Sequence, residues 1–139
     1  MSDQSILITG GAGFIGTRLV QALLKAEPKR RIWILDNLHS QVHGPDAGPP
    51  MFPDGVEFVR GDVVDQKSLQ DVVQRAKPEI IYHLAAETGT GQSSDEPTRY
   101  CNVNILGTTN LIESLRNIGT PRRVILAASR AVYGEGAYP

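Results

Sequence analysis

Short apolar runs alternate along this chain with longer segments in which apolar residues recur every three or four positions. The short runs have the length and composition of buried strands, whereas the longer segments have the period of amphipathic helices. Strands that alternate with helices indicate βαβ units, and right-handed crossovers arrange these in a doubly wound, Rossmann-type α/β fold with strand order 3-2-1-4-5. The predicted strands are Ser5–Thr9, Arg31–Asp36, Val56–Arg60, Ile80–Leu84 and Arg123–Ala128.

Three helices follow from the same pattern, and each has a residue that marks its start or its end. Pro28 stops the first helix, Asp65 is placed to cap the second, and Gly119 can close the third. The third helix should begin with Pro97 in its first turn and should bury a stripe that contains Asn104. A buried amide must find hydrogen-bond partners there. The predicted helices are Phe14–Ala26, Gln66–Lys77 and Pro97–Ile118.

The segment from Asn37 to Gly55 interrupts this alternation. It holds four prolines and three glycines, which are too many for a regular helix, and it is longer than an ordinary connection. Two interpretations stand side by side, a lid or binding loop and a plain surface loop.

The composition predicts one domain in a reducing compartment. With 139 residues and a net charge of −1, the chain has no long-range field that would attract nucleic acid or an anionic membrane. Cys101 is the only cysteine, and neither a leader nor an apolar run of about 18 residues is present, so we expect a cytoplasmic protein. His39, His43 and His83 lack the spacing of a zinc site, and no metal is expected.

A glycine-rich turn connects the first strand to the first helix. Gly10 permits the tight turn, Gly13 lets the backbone approach a pyrophosphate, and Gly16 lets the helix pack closely. The first helical turn, at Phe14 and Ile15, offers unpaired amides and the positive end of the helix dipole to phosphates. Glycines also make plain turns, but here they follow a strand and open a helix, which favours a dinucleotide site.

An acidic residue answers this turn at the end of the second strand. Asp36, with Asn37 beside it, can accept hydrogen bonds from the adenosine ribose hydroxyls and would repel a 2′-phosphate, so NAD is predicted rather than NADP. Arg18, Arg30 and Arg31 keep NADP open as an alternative, because a guanidinium could neutralise that phosphate. Asp36 could also be only a turn former.

A second acidic residue follows the third strand. Asp62 is placed to reach the adenine, with Val63 packed on the ring. An aspartate at a strand end also readily caps the following turn, and that interpretation stands beside the first.

These motifs resemble the extended short-chain dehydrogenase/reductases, and within them the NAD-dependent epimerase/dehydratase family, over almost the whole chain. The stretches Asp36–Gly44, Glu87–Ser93 and Ser129–Gly136 are further similar to nucleotide-sugar 4-epimerases of the dTDP-rhamnose type. The residues that carry the broader resemblance are Gly10, Gly13, Gly16, Gly61-Asp62-Val63, His83-Leu84-Ala85-Ala86, Asn104, Gly107-Thr108, Ser129 and Tyr133-Gly134.

The resemblance implies roles for residues to which the sequence pattern alone assigns no function. Ala85 and Ala86 would form a small-residue wall beside the nicotinamide half of NAD, and Leu84 before them would also contact the cofactor. Asn104 would brace the active-site strand, a purely structural role being equally compatible. The hydroxyl of Ser129 would orient the reacting hydroxyl of a nucleotide-sugar substrate.

The resemblance also implies a tyrosine general base with a lysine four positions later, and no such pair occurs in these 139 residues. We therefore expect an incomplete NAD-binding domain, residues 1–139, that lacks its substrate domain and is inactive alone. The fifth strand would then expose an apolar edge, which predicts self-association as a homo-oligomer or a mobile end beyond Ala128.

Three functions remain open from the sequence. The first is the NAD-binding part of a nucleotide-sugar epimerase or dehydratase that moves a hydride at C4 of the hexose. The second is a dinucleotide-binding module without turnover. The third is an NADP-linked reductase of the same fold, since a fold does not fix a reaction.

Overall fold

Five parallel strands form one sheet in the order β3-β2-β1-β4-β5. The structure is a computed structural model that describes residues 5–116, 118–119, 121–129, 132 and 134. The predicted doubly wound α/β fold and its strand order are thereby confirmed. The strands are β1 Ser5–Thr9, β2 Arg31–Asp36, β3 Val56–Arg60, β4 Ile80–His83 and β5 Arg123–Leu126.

The central strands are apolar along their length because helices cover both faces of the sheet. All five residues of β1 are buried, and five of the six residues of β2 are buried. The register aligns Thr9 with Leu35 on one side and with His83 on the other. The carboxyl ends of β1, β2 and β4 therefore lie together at one edge, where a doubly wound sheet binds its ligands.

Helices pack on the two faces in separate clusters. On one face, α1 contributes Val20 to a core with Ile6, Ile8, Ile32 and Ile34, and on the other α3 and α6 pack against Leu7, Leu35 and Ile81. The helices are α1 Phe14–Ala26, α2 Ser40–His43, α3 Gln66–Ala76, α4 Thr90–Asp95, α5 Pro97–Cys101 and α6 Gly107–Leu115, with a π-helix at Asn102–Leu106 between α5 and α6.

The third helix was predicted wrongly in two respects, as one continuous α-helix and with Asn104 on its buried face. Instead of one α-helix to Ile118, the segment passes through a π-helical turn and ends at Leu115. Asn104 is exposed rather than buried, and the buried polar amide of this segment is Asn110. A π turn holds an extra residue, so it rotates the residues before it relative to those after it, and a count at 3.6 residues per turn places Asn104 on the wrong face.

The other differences are local. The segment Asn37–Gly55 contains the single turn α2, and the stretch Glu87–Ser93 runs into α4, neither of which the sequence predicted. The predicted cap is confirmed, because the Asp65 carboxylate accepts from the amide of Lys67 at 3.0 Å. Strand and helix ends otherwise agree within about two residues, the usual spread of boundary assignments. Tyr133 and most of the predicted mobile end lie outside the described residues.

Candidate functional site

A cleft opens at the carboxyl edge of the sheet, where the winding direction reverses between β1 and β4. The space between its lining residues, with the open mouth included, is about 690 Å³. Nine of the residues predicted to bind the cofactor line it, namely Gly10, Gly13, Asp36, Asn37, Asp62, Val63, Leu84, Ala85 and Ala86. The other lining residues, to which the sequence assigned no cofactor contact, are Leu35, His39, Val42, His43, Gly61, Glu87 and Val103.

Five predicted site residues are not part of the lining. Phe14 and Ile15 stand in the first turn of α1 with 79% and 66% of their surface exposed. Gly16 packs against Gly11, and Asn104 contacts the chain that follows β4. Ser129 is exposed and follows β5, and its carbonyl accepts from the amide of Val132. The role of Ser129 stays a prediction.

The glycine-rich turn is closed by backbone contacts that no larger residue would allow. Gly10 has a φ of +70°, and a Cβ there would lie 2.7 Å from the amide nitrogen of Ala85. A Cβ on Gly16 would lie 2.5 Å from the backbone of Gly11. Gly13 is the N-cap of α1, where no side chain caps the helix and no acid stands in its first turn. The first amides of α1 are therefore offered to an anionic ligand.

Asp36 connects this turn to the end of β2. One carboxylate oxygen accepts from the amide of Ala12 at 3.0 Å and the other from the amide of Leu38 at 2.9 Å. The His43 imidazole lies 3.7 Å from the second oxygen, and Asp36 is only 8% exposed. The turn-forming role considered from the sequence is therefore real. A carboxylate has about four acceptor positions, so two remain for ribose hydroxyls.

Asp62 has the turn-capping role that the sequence left open, and its approach to the adenine stays a prediction. Its Oδ1 accepts from the amide of Val64, and its Oδ2 accepts from the side-chain amide of Asn37, both at 2.9 Å. The Asn37 oxygen in turn accepts from the amide of His39 at 3.0 Å. Asp62 thus caps its own turn while it holds the side chain of Asn37 at the cleft wall.

His83 lies beneath the cleft, buried between β1 and the helix that follows the π turn. Its Nδ1 is 2.6 Å from the hydroxyl of Thr9, and its Nε2 is 3.0 Å from the hydroxyl of Thr108. Thr108 donates to the carbonyl of Asn104, so it accepts from Nε2–H, and Nδ1 accepts from Thr9. Burial lowers the pKa of His83, which agrees with a neutral ring.

Asn104 pairs with the backbone that continues from β4. Its side-chain oxygen accepts from the amide of Glu87 at 2.8 Å, and its side-chain nitrogen donates to the carbonyl of Glu87 at 3.1 Å. The amide therefore satisfies both polar groups of one residue, as a neighbouring strand would do. The contact ties the π-helix to the chain after β4, and the bracing of an active-site strand that the resemblance implied stays a prediction.

A polar network surrounds Arg99 at the mouth of the cleft. The guanidinium donates to both oxygens of Glu87 at 3.0 and 2.8 Å and to Glu96 at 3.0 Å. These hydrogen bonds raise the pKa of Arg99, while hydrogen bonds from Gln92 and then Arg99 lower the pKa of Glu96. Arg99 also reaches Gln41 of α2 at 3.1 Å.

Sequence reasoning missed Asn110, which is 7% exposed. Its side-chain nitrogen donates to the carbonyls of Val63 and Val64 at 3.1 and 3.0 Å, so it fixes the turn that follows β3. The available signal was a polar residue adjacent to Leu111 in an apolar stripe. The hydrogen-bonded pair of Gln41 and Gln92 was also not predicted from the sequence. Contacts between exposed side chains 51 residues apart leave no periodic signal.

No group of three or more histidine, cysteine, aspartate or glutamate side chains that could hold a metal occurs among the described residues. Within the same part of the chain, no helix is both long and apolar enough to cross a membrane.

Comparison with known proteins identifies relatives of this site. The family model for the NAD dependent epimerase/dehydratase family matches residues 6–139. The chain is 43% identical over 139 residues to the dTDP-L-rhamnose 4-epimerase of Burkholderia thailandensis, which covers 99% of this chain and 38% of that protein.

Two solved structures share the fold. The UDP-glucose 4-epimerase of Brucella ovis in complex with NAD has a TM-score of 0.76 and 30% identity, over 97% of this chain and 38% of its own. The UDP-glucose 4-epimerase of Thermotoga maritima with UDP-glucose has a TM-score of 0.80 and 28% identity, over 98% of this chain and 41% of its own. The chain therefore spans about two fifths of the length of these relatives.

Proposed function

Because this chain belongs to the NAD dependent epimerase/dehydratase family, we propose that its cleft binds NAD as the cofactor-binding part of a nucleotide-sugar epimerase or dehydratase. The family predicted from the motifs, and their similarity to the dTDP-rhamnose type, are confirmed. The observation that carries the proposal is the convergence of the glycine turn, Asp36 and the small-residue wall on one cleft at the strand-order reversal.

The cleft offers a partner for each part of a dinucleotide. The turn at Gly10 and Gly13, with the uncapped first turn of α1, suits the pyrophosphate. Asp36 has acceptor positions left for the adenosine ribose, and Asp62 with Val63 forms the wall toward the adenine. Across the turn, Leu84, Ala85 and Ala86 leave space for the nicotinamide half.

The choice of NAD over NADP rests on charge near Asp36. None of the three arginines that kept NADP open lines the cleft. Arg30 pairs with Glu27 at 3.2 Å and with Glu79 at 3.5 Å, and Arg18 lies over the ring of Phe14. A 2′-phosphate would therefore meet the Asp36 carboxylate without a guanidinium from this set.

In the proposed reaction, NAD held in this cleft would supply the hydride acceptor for C4 of a nucleotide-linked hexose. This chain would hold the cofactor face toward the sugar, and Ser129 would orient the reacting hydroxyl. The chain has no tyrosine with a lysine four positions later, so we propose that residues 1–139 are an NAD-binding domain without activity of its own. A dinucleotide-binding module without turnover remains the second candidate on that observation.

We also propose that copies of the chain associate through the outer strand β5. Val124 and Leu126 of this strand are 48% and 58% exposed. Gel filtration over a range of concentrations tests this, since β5-mediated pairing predicts a concentration-dependent apparent size and a monomer at every concentration contradicts it. The cytoplasmic location predicted from the single cysteine is retained as a proposal.

Calorimetric titration with NAD and NADP tests the cofactor site. We expect NAD to bind more tightly than NADP, and Asp36→Ala to weaken NAD by about 1 to 3 kcal/mol through loss of charged hydrogen bonds. Asp36→Asn removes the negative charge and should therefore reduce the difference in affinity between NAD and NADP. Asp46→Ala, at an exposed position of the next segment, is the matched control. Tighter binding of NADP, or an unchanged affinity in Asp36→Ala, contradicts the assignment.

A further inference from the structure

Two surface glutamines join the opposite walls of the cleft. The side-chain nitrogen of Gln41 donates to the oxygen of Gln92 at 2.6 Å, and that of Gln92 donates back to the oxygen of Gln41 at 3.2 Å. Gln41 lies in α2, between the lining residues His39 and Val42. Gln92 lies in α4, which follows the lining residue Glu87.

Each end of this amide pair is held by a second contact. Arg99 donates to the Gln41 oxygen at 3.1 Å while its guanidinium is fixed by two hydrogen bonds to Glu87. On the other side, the Gln92 nitrogen also donates to the Glu96 carboxylate at 3.0 Å. The Tyr100 hydroxyl donates to the carbonyl of Thr88 at 2.9 Å, so the backbone before α4 is tied to α5. The two amide side chains are therefore held in a fixed relative position between α2 and α4.

The position of the pair follows from the strand order. α2 comes after β2 and α4 comes after β4, and these strands flank β1 on its two sides. The glycine turn continues from β1, so a bond between the two segments crosses the cleft from the wall of Asp36 to the wall of Ala85 and Glu87. Neither glutamine lines the cleft.

The fold itself gains little from this bond. A hydrogen bond between solvent-accessible side chains contributes weakly to folding, because water replaces it on opening. A cross-cleft bond that adds little stability still constrains the two walls, and it can open without unfolding either one.

We propose that the amide pair of Gln41 and Gln92, backed by Arg99, is a latch across the cleft that governs how fast a dinucleotide enters and leaves. The proposal rests on the proposed function, since it needs a dinucleotide in this cleft. Because neither glutamine lines the cleft, opening the latch changes the barrier to entry and to release alike. The two rate constants should rise together while the dissociation constant changes little.

Stopped-flow fluorescence of NADH on the full chain tests the latch. Association is followed by mixing protein with NADH, and release by displacement of bound NADH with excess NAD. We expect Gln41→Ala and Gln92→Ala each to raise both rate constants about three- to tenfold, with the dissociation constant within about twofold of the unaltered chain. The double variant should resemble the single variants, because one substitution already breaks the pair. Gln74→Ala, on the exposed side of α3, is the control.

Three results overturn the latch, and they differ from one another. Rates in both variants that equal those of Gln74→Ala show that the pair does not control access. A rise in the release rate alone, with an equal rise in the dissociation constant, identifies a direct contact with the cofactor instead. If the unaltered chain does not bind NADH, the proposed cofactor site is wrong and the latch falls with it.

Discussion

His83 and Thr9 form a 2.6 Å hydrogen bond at the carboxyl ends of two adjacent strands, directly beneath the cleft. Thr9 also accepts from the amide of Ala85 at 3.3 Å, and the far side of the imidazole reaches Thr108. The neutral ring therefore connects β1 to α6, and its partner Thr9 connects β1 to the small-residue wall after β4. Protonation would remove the acceptor that Thr9 uses.

This arrangement predicts a pH-dependent contribution to stability. Burial lowers the pKa of His83 below that of an unfolded chain, so the unfolded state takes up the proton first as the pH falls. The stabilisation is complete above pH about 6.5, the unfolded value, and declines as the pH falls from there toward the lowered folded value. Replacement by Phe should therefore cost about 1 to 3 kcal/mol at pH 7.5 and less at pH 5.5.

Urea unfolding of the unaltered chain and His83→Phe at the two pH values measures this difference. His83→Asn, which restores an acceptor near the position of Nδ1, should recover part of the loss at pH 7.5. An equal cost of His83→Phe at both pH values would show that the proton on this ring is not linked to folding.

Asn104 provides a second test because its amide both donates to and accepts from Glu87. Asn104→Asp keeps the acceptor for the Glu87 amide but sets a carboxylate oxygen against the Glu87 carbonyl. We expect a loss of about 1 to 2 kcal/mol in the free energy of unfolding. Asn102→Asp, at an exposed position in the same π-helix, is the matched control and should change the stability by less than about 0.5 kcal/mol. Equal losses in both variants would remove the bracing role.

The buried Asn110 should be far less tolerant of the same change. Its nitrogen donates to two carbonyls, and Asn110→Asp would place a charge among acceptors in a buried site. We expect Asn110→Asp to lower the free energy of unfolding by about 3 to 5 kcal/mol if the carboxyl is ionised in the folded state. If the carboxyl stays protonated there, the loss should be smaller at low pH. Thermal unfolding at pH 7 and pH 5 distinguishes the ionised from the protonated carboxyl. A loss of stability as small as that of Asn104→Asp would contradict the buried contact.

The fold was predictable because its signals are local and periodic. The apolar runs of β1 and β2 are buried on both faces, and such runs indicate a parallel sheet when amphipathic helices alternate with them. The glycine turn was predictable for a similar reason, because a strand, a tight turn and a helix follow one another within a few residues. Its acidic partner Asp36 stands at the end of the next strand, where the fold requires it.

The features that escaped the sequence depend on contacts between distant segments. The face of Asn104 was wrong because a single π turn shifts the helical phase, and nothing in the letters NVNIL marks that turn. The pair Gln41 and Gln92, like the donation of Asn110 to the turn after β3, exists only once the strands have their order. Polar side chains that meet through tertiary structure carry no period that a count along the chain would detect.

Two glycines of the same turn should separate folding from cofactor binding. A Cβ on Gly16 would meet the Gly11 backbone at 2.5 Å, and backbone cannot move aside cheaply, so we expect Gly16→Ala to lower the free energy of unfolding by about 2 to 4 kcal/mol. A Cβ on Gly13 has its nearest neighbour, the carbonyl of Gly10, at 3.4 Å, and its φ of −70° suits alanine. Gly13→Ala should therefore fold with nearly normal stability.

The added methyl of Gly13→Ala would nevertheless occupy the cleft wall where the proposed pyrophosphate approaches the backbone. Its affinity for NAD should fall at least about tenfold while its melting temperature stays close to that of Gly48→Ala, a control in open space. Calorimetry and thermal unfolding on the three variants measure both quantities. An unchanged NAD affinity in Gly13→Ala would place the pyrophosphate elsewhere, whereas a loss of stability equal to that of Gly16→Ala would make the turn a folding element only.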